Sequence, residues 1–328
     1  MNRITKITDK LLNRLKLGAA LGLAFGVVLA GSLAAEAKST PFSRITVFGD
    51  SLSDIGNLHR LTEGFPPPPY VEGRFSNGEL WIEYLAEDLG MDLLPEDNYA
   101  VGGATTGSVN VNGPVFGLNL PGLQDQIAAF LAARQPSGAD PEALYVIWAG
   151  ANDFFLALEG GVDPATMIAG GVSNTVRAVH LLWSAGAAHI MVVNVPDLGL
   201  TPSGLASGRS AAITQLAAAY NHLLGTALQN LAHADVQTIF VDAFATLQAM
   251  VTSPADFDFT NVTTSFLSTG GDPSEFLFWD MVHPTTRGHQ VFGREALDRL
   301  VDHFSPSQGK AAPRPQANSL RGLVHARP

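Results

Sequence analysis

The amino-acid sequence predicts a single doubly wound α/β domain, in which a parallel sheet of about five strands is covered by helices on both faces. Three observations carry this. Short runs rich in β-branched residues alternate with longer stretches of helical apolar period. The short runs are apolar at consecutive positions, the pattern of strands buried on both sides. Many of the 33 glycines stand directly after apolar runs, where strand ends need tight turns. With 328 residues, 46% of them apolar and 15% charged, the chain is globular and long enough for a sizeable core.

The elements follow in order. Ile45–Phe48 is a buried strand closing on Gly49-Asp50, and ELWIEYLAEDL (79–89) has helical period. A short strand is expected at Asp92–Leu94 or nearer Tyr99. Leu123–Ala133 reads as a helix, Leu144–Trp148 as a strand, Met167–Ala185 as a long helix and His189–Val195 as a strand stopped by Pro196. Ile213–Leu231 is again helical, Thr238–Val241 extended, and Thr286–His303 an amphipathic closing helix. Segments 58–73, 106–122 and 252–278 are longer than usual connections, which makes them candidate substrate-facing walls.

Both ends stand apart from this body. Residues 1–37 carry Arg3, Lys6, Lys10, Arg14 and Lys16 against Asp9 and Glu36, then an apolar run Leu17–Ala35, then Ala35-Glu36-Ala37. A basic stretch, an apolar stretch and an A-x-A site are the parts of a secretory signal peptide, predicting cleavage after Ala37 and export to the periplasm or beyond. The run is 19 residues long, so an uncleaved membrane anchor is the alternative. Residues 38–303 would form the catalytic domain. Residues 304–328 are rich in Pro, Ser, Gln and Ala with Lys310, Arg314, Arg321 and Arg327, and read as a disordered basic tail.

Composition removes several function classes. The net charge is −11 and the body has no basic patch interleaved with aromatics, which argues against a nucleic-acid partner. There is no cysteine, hence no disulfide, thiolate metal site, cysteine nucleophile or lipoprotein anchor. The glycines have neither a Walker lysine nor G-x-G-x-x-G spacing, so no nucleotide site is read.

Three constellations carry chemistry. GDSLSDIGN (49–57) places Ser51 just past the first strand, where a hydroxyl faces a crevice near backbone N–H groups. A serine there is more often a helix cap, so Ser51 alone decides nothing. FWDMVHPTTRGH (278–289) sets Asp280 and His283 three residues apart before a helix; a base for the serine proton and an acid to orient that base can come from one such turn. Metal ligation is disfavoured for want of a second cluster, and His289, inside the closing helix, is read as a surface residue. Finally, Asn152 in GAND follows strand LYVIW, and Gly102-Gly103 lie in NYAVGGATTG; both regions offer donors for an oxyanion.

Taken in order, GDSLSD at 49–54, Gly103 (or Gly102), GAND at 150–153 and DMVH at 280–283 resemble the blocks of the GDSL hydrolases, also called the SGNH superfamily. GRFSNG (73–78) and VNVPDLGLTP (193–202) look like segments of its lipase-like members, and the likeness covers nearly all of residues 44–303. The resemblance implies a three-layer α/β/α fold of flavodoxin type and a serine esterase or lipase without cofactor. Ser51 would be the nucleophile, His283 the base and Asp280 its orienting acid, with Ser51, Gly103 and Asn152 as oxyanion hole. The partner would be a small-molecule or lipid ester, with transient contact at lipid surfaces. An α/β-hydrolase elbow, G-x-S-x-G, fits less well because Ser53 stands two after Ser51. Acyl transfer or carbohydrate deacetylation on the same triad is the alternative; a non-catalytic binding module would show damage in one block, and none is damaged. Phe65, Tyr70, Val115, Phe116, Leu118, Phe257, Phe259 and Phe266 in the long loops favour an acyl substrate over a sugar, with plain packing as the equal alternative.

Overall fold

The computed structural model describes residues 42–232 and 236–305. The predicted signal peptide and all but the first two residues of the predicted tail lie outside them.

Four parallel strands run in the order β1 (Ile45–Gly49), β2 (Leu144–Trp148), β3 (His189–Val193) and β4 (Thr238–Val241). Val47 pairs with Val146, Val146 with Met191, and Met191 with Ile239. The expected fifth strand is reduced to a parallel bridge between Asn98 and Val47, extended by Tyr99 N–H to Val47 O (2.7 Å) and Val101 N–H to Gly49 O (3.1 Å). It lies nearer Tyr99, as one of the two expectations had it, and not at Asp92–Leu94. The 3-10 turn Pro95–Asp97 before it and Gly102-Gly103 after it leave room for only a few extended residues. Placed outside β1, this segment completes the flavodoxin-type order.

The period of two along each strand sorts side chains to opposite faces. Ile45, Val47, Leu144, Val146, Trp148, Met191 and Val193 enter one core, packed by α1 (Trp81–Leu89) and, near the C-terminus, by the long closing helix Thr286–Phe304. Phe48, Tyr145, Ile147, Ile190 and Val192 enter the other, covered by α2 (Leu123–Ala133), α4 (Pro164–Ser184) and α5 (Ser210–Ala232). Between them in the chain, α3 (Ala151–Gly160) follows β2 and α6 (Ala243–Thr252) follows β4; the closing helix is α7. Because both faces are apolar, the strands read as unbroken apolar runs.

The long connections contain short elements of their own. Segment 252–278 folds into a two-stranded parallel pair, β5 (Asn261–Ser265) with β6 (Phe276–Phe278), which the half-exposed sequence NVTTS does not signal. Strand β6 leads directly into Trp279 and Asp280.

One expectation is overturned by α7. His289 is completely buried, not a surface residue. It shares the helical period of Phe292, Gly293, Ala296 and Leu300, which all face the core. Neither ring nitrogen has a partner among the described residues. Burial, with a smaller contribution from His283, pushes the imidazole down to about 3, so it is held neutral.

Candidate active site

The turn after β1 is fixed from several sides. Gly49 has φ +154°, and a Cβ there would lie 2.1 Å from Trp148 O, so only glycine lets β1 and β2 end this way. The side-chain amide of Gln126, on α2, accepts from Gly49 N–H and donates to Gly49 O, both at 2.8 Å. Asp50 Oδ1 then accepts from Leu52 N–H at 3.1 Å, closing a tight turn with Ser51 at its apex. Asp54 accepts backbone N–H bonds from Gly56, Asn57, Leu58 and, across 48 residues, Gly102 (2.7 Å). That carboxylate therefore ties the serine turn to the glycine loop.

Ser51 meets the closing loop of the chain. Its hydroxyl lies 2.8 Å from His283 Nε2, and His283 Nδ1 lies 2.7 Å from Asp280 Oδ2. Burial works against the Asp280 anion, but the charge of His283 and hydrogen bonds from His283 Nδ1–H and from the Val282 and His283 N–H groups outweigh it, bringing the carboxyl down to about 2. An ionised Asp280 can only accept, so Nδ1 carries the proton and Nε2 is left to accept from the serine hydroxyl. The Phe75 ring packs on His283 at 4.9 Å.

The remaining predicted residues border the same cleft. Gly103 has φ +85°, and a Cβ would fall 2.5 Å from Asn112 Nδ2 and 2.6 Å from Asn110 Oδ1. Asn110 and Asn112 both donate to Gly102 O at 3.1 Å, so the crowding is built into the loop. The Gly102 N–H is spent on Asp54, whereas among the described residues those of Ser51 and Gly103 have no acceptor. Asn152, in the first turn of α3, donates through Nδ2 to Ala104 O at 3.0 Å and to Asp50 Oδ2 at 3.4 Å. Its neighbour Asp153 accepts from Thr106 N–H (2.9 Å) and Oγ–H (2.6 Å), pinning the glycine loop to α3.

These groups open on a cleft of about 210 Å³ with mainly apolar walls, among them Leu52, Phe75, Phe155, Leu198, Leu247 and Phe278. Of the eight loop residues expected at a substrate wall, Phe65 alone borders it. Phe116 packs against Phe65 (5.1 Å), Phe257 and Phe259 join the core under α7, and Phe266 stacks on Trp279 (4.8 Å). Tyr70 instead donates its hydroxyl to Asp280 Oδ2 at 2.7 Å. Sequence reasoning set Tyr70 among the substrate-facing loop residues and gave Asp50, Asp54 and Gln126 no site role. For Gln126 a signal existed: it interrupts the apolar stripe Leu123, Ile127, Phe130 of α2.

A family model described as GDSL-like Lipase/Acylhydrolase matches residues 45–296. A phosphatidylcholine-sterol acyltransferase of Aeromonas hydrophila is 32% identical over 220 residues, covering 66% of this chain and 62% of its own. The secreted effector protein SseJ of Salmonella typhimurium is 28% identical over 282 residues, covering 80% of this chain and 65% of its own. The chain thus spans a little under two thirds of either relative. Among solved structures, a member of the lipolytic G-D-S-L family from Veillonella parvula aligns at TM-score 0.43 and 17% identity, over 78% of this chain and 96% of that one.

Proposed function

The chain belongs to the GDSL-like lipase/acylhydrolase family, and on that premise we propose that it is an exported serine hydrolase that cleaves carboxylic esters through an acyl-enzyme on Ser51. The observation that carries the reading is the unbroken chain from Ser51 Oγ through His283 to Asp280, at 2.8 and 2.7 Å, on the wall of an apolar cleft.

In this mechanism the Ser51 oxygen attacks the ester carbonyl while its proton passes to His283 Nε2. Asp280, ionised throughout, holds the imidazole in the required tautomer and balances its positive charge. The carbonyl oxygen, now an anion, takes the N–H groups of Ser51 and Gly103, and Asn152 turns its amide from the long contact with Asp50 toward it. Gly103 is favoured over Gly102 because the Gly102 N–H already serves Asp54. His283 returns its proton to the alcohol, the alcohol leaves, and a water activated by His283 hydrolyses the acyl-enzyme. No cofactor takes part. The cleft walls suit an acyl chain better than a sugar.

Acyl transfer is the second reading, favoured by the name of the Aeromonas relative. It uses the same acyl-enzyme and differs only in that an acceptor alcohol, in place of water, takes up the acyl group. A series of p-nitrophenyl esters of rising chain length, with and without an added alcohol acceptor, separates the two by product. Loss of both turnover and fluorophosphonate labelling in Ser51→Ala is expected; a folded Ser51→Ala protein that keeps its activity overturns the proposal. Export is tested by sequencing the mature N-terminus, expected to begin at Lys38; one that begins at Met1 supports the retained anchor. Among the described residues no helix is long and apolar enough to cross a membrane.

A further inference from the structure

We propose that Tyr70 is a positioning residue of the catalytic relay, its hydroxyl holding Asp280 from the proline-rich loop. The inference rests on the Ser51–His283–Asp280 reading and extends it by a fourth group from a distant part of the chain.

The geometry makes the case. Among the described residues Asp280 has four donors. Its Oδ1 takes the N–H groups of Val282 and His283, at 2.8 and 2.7 Å. Its Oδ2 takes His283 Nδ1–H and the Tyr70 hydroxyl, both at 2.7 Å. Three of these donors belong to the turn that carries Asp280 itself, and Tyr70 is the one that comes from elsewhere, 210 residues away. Its ring lies edge-on to Trp279 (6.4 Å) and to Phe75 (6.1 Å), the ring that packs on His283. The segment 65–75 thus touches both members of the pair. Four consecutive prolines, Pro66–Pro69, restrict the backbone just before Tyr70, which suits a residue that must present one hydroxyl to one oxygen. Burial, and then the charge of Asp280, push the phenol upward, so it stays a donor across the working range.

A donor on Oδ2 withdraws charge from the oxygen that faces His283. Without it the carboxylate stabilises the protonated imidazole more strongly, and the base is neutralised by acid at higher pH. The other titratable groups around the pair are Asp50, on the serine turn, and His289, on α7; both interact electrostatically with His283. Burial brings the Asp50 carboxyl up to about 7, so the readout is the difference between variants.

The test uses the full chain and the pH dependence of kcat/KM on a p-nitrophenyl ester. In Tyr70→Phe the ring contacts remain. We expect kcat to fall about tenfold, the scale of one hydrogen bond to a charged group, with KM little changed because the hydroxyl lies outside the cleft. The acid limb should move up by roughly half a pH unit. Fluorotyrosine placed at position 70, a stronger donor, should move the limb down. Opposite displacements support the proposal. A limb that stays put in both variants, or moves the same way in both, overturns it, including the case where kcat and thermal stability fall together. Ser51→Ala run alongside keeps the parent reading separate: turnover there refutes the mechanism itself, whatever Tyr70 does.

Discussion

Asp50, next to the proposed nucleophile, is a buried carboxyl with too few partners, and replacing it by asparagine should make the protein more stable and slower. It is almost fully buried and has one good donor, Leu52 N–H, besides the long contact to Asn152. Burial raises its carboxyl from 3.8 to about 7; the Leu52 bond and His283 pull down, while Asp153 and Asp54 push up further. The fold therefore binds this proton more tightly than the unfolded chain does. Its stability is full below about pH 3.8 and is lost as pH rises toward 7. About three decades of proton affinity correspond to about 4 kcal/mol of lost stability above pH 7. Asparagine removes that cost and gives up a charge-assisted bond to Leu52 N–H of about 1.5 kcal/mol, leaving a net gain of about 2–3 kcal/mol. For a domain of this size each kcal/mol is worth about 2–4 °C in Tm. Thermal melts of wild type and Asp50→Asn at pH 8 should differ by about 5–10 °C, and the gap should close by pH 4. A gap of equal size at both pH values, or a less stable variant at pH 8, refutes the reasoning. The same change sets one amide against another at Asn152, so kcat should fall while stability rises; a buried charge kept at a site against the interest of the fold has that signature.

Three further outcomes follow from the same geometry. Asn152→Ala removes one of the proposed oxyanion donors and leaves the proposed nucleophile and base in place, so steady-state kinetics should show kcat lowered by about 10²–10³ with KM little changed. Gly103→Ala forces a Cβ against Asn110 and Asn112 at positive φ and should cost several-fold or more in kcat, with a lowered melting temperature; wild-type values for both would show that the loop relaxes freely. His289→Leu concerns stability in acid: the folded imidazole titrates near 3 against about 6.5 unfolded, so wild type loses stability as pH falls below 6.5, about 2 kcal/mol from this group by pH 5. Urea unfolding at pH 7 and pH 5 should show a smaller drop in the leucine variant, and an equal drop in both would count against a neutral buried histidine.

How far these features could be read from the sequence depends on how local their causes are. The strands were legible because burial on both faces leaves unbroken apolar runs such as LYVIW, and the serine and Asp-x-x-His turns because each is a short motif at the end of an element. His289 was also legible in principle, since its spacing to Phe292, Ala296 and Leu300 places it on the inner face of α7, although a buried imidazole without partners is uncommon. The fifth strand shrank to a bridge because a turn and a glycine pair crowd it, a matter of a few residues that apolar patterning does not resolve. The groups that brace the site belong to another class. Gln126 reaches Gly49 across 77 positions, Asp54 reaches Gly102 across 48, and Tyr70 reaches Asp280 across 210. A local pattern hints at a buried polar side chain in Gln126 alone, and none names the partner, because each group by itself is one that solvent could satisfy. Only the fold removes the water and leaves the other as the available partner. The residues proposed to react are therefore announced by motif, whereas those that hold them in place are found by following where each buried donor and acceptor goes.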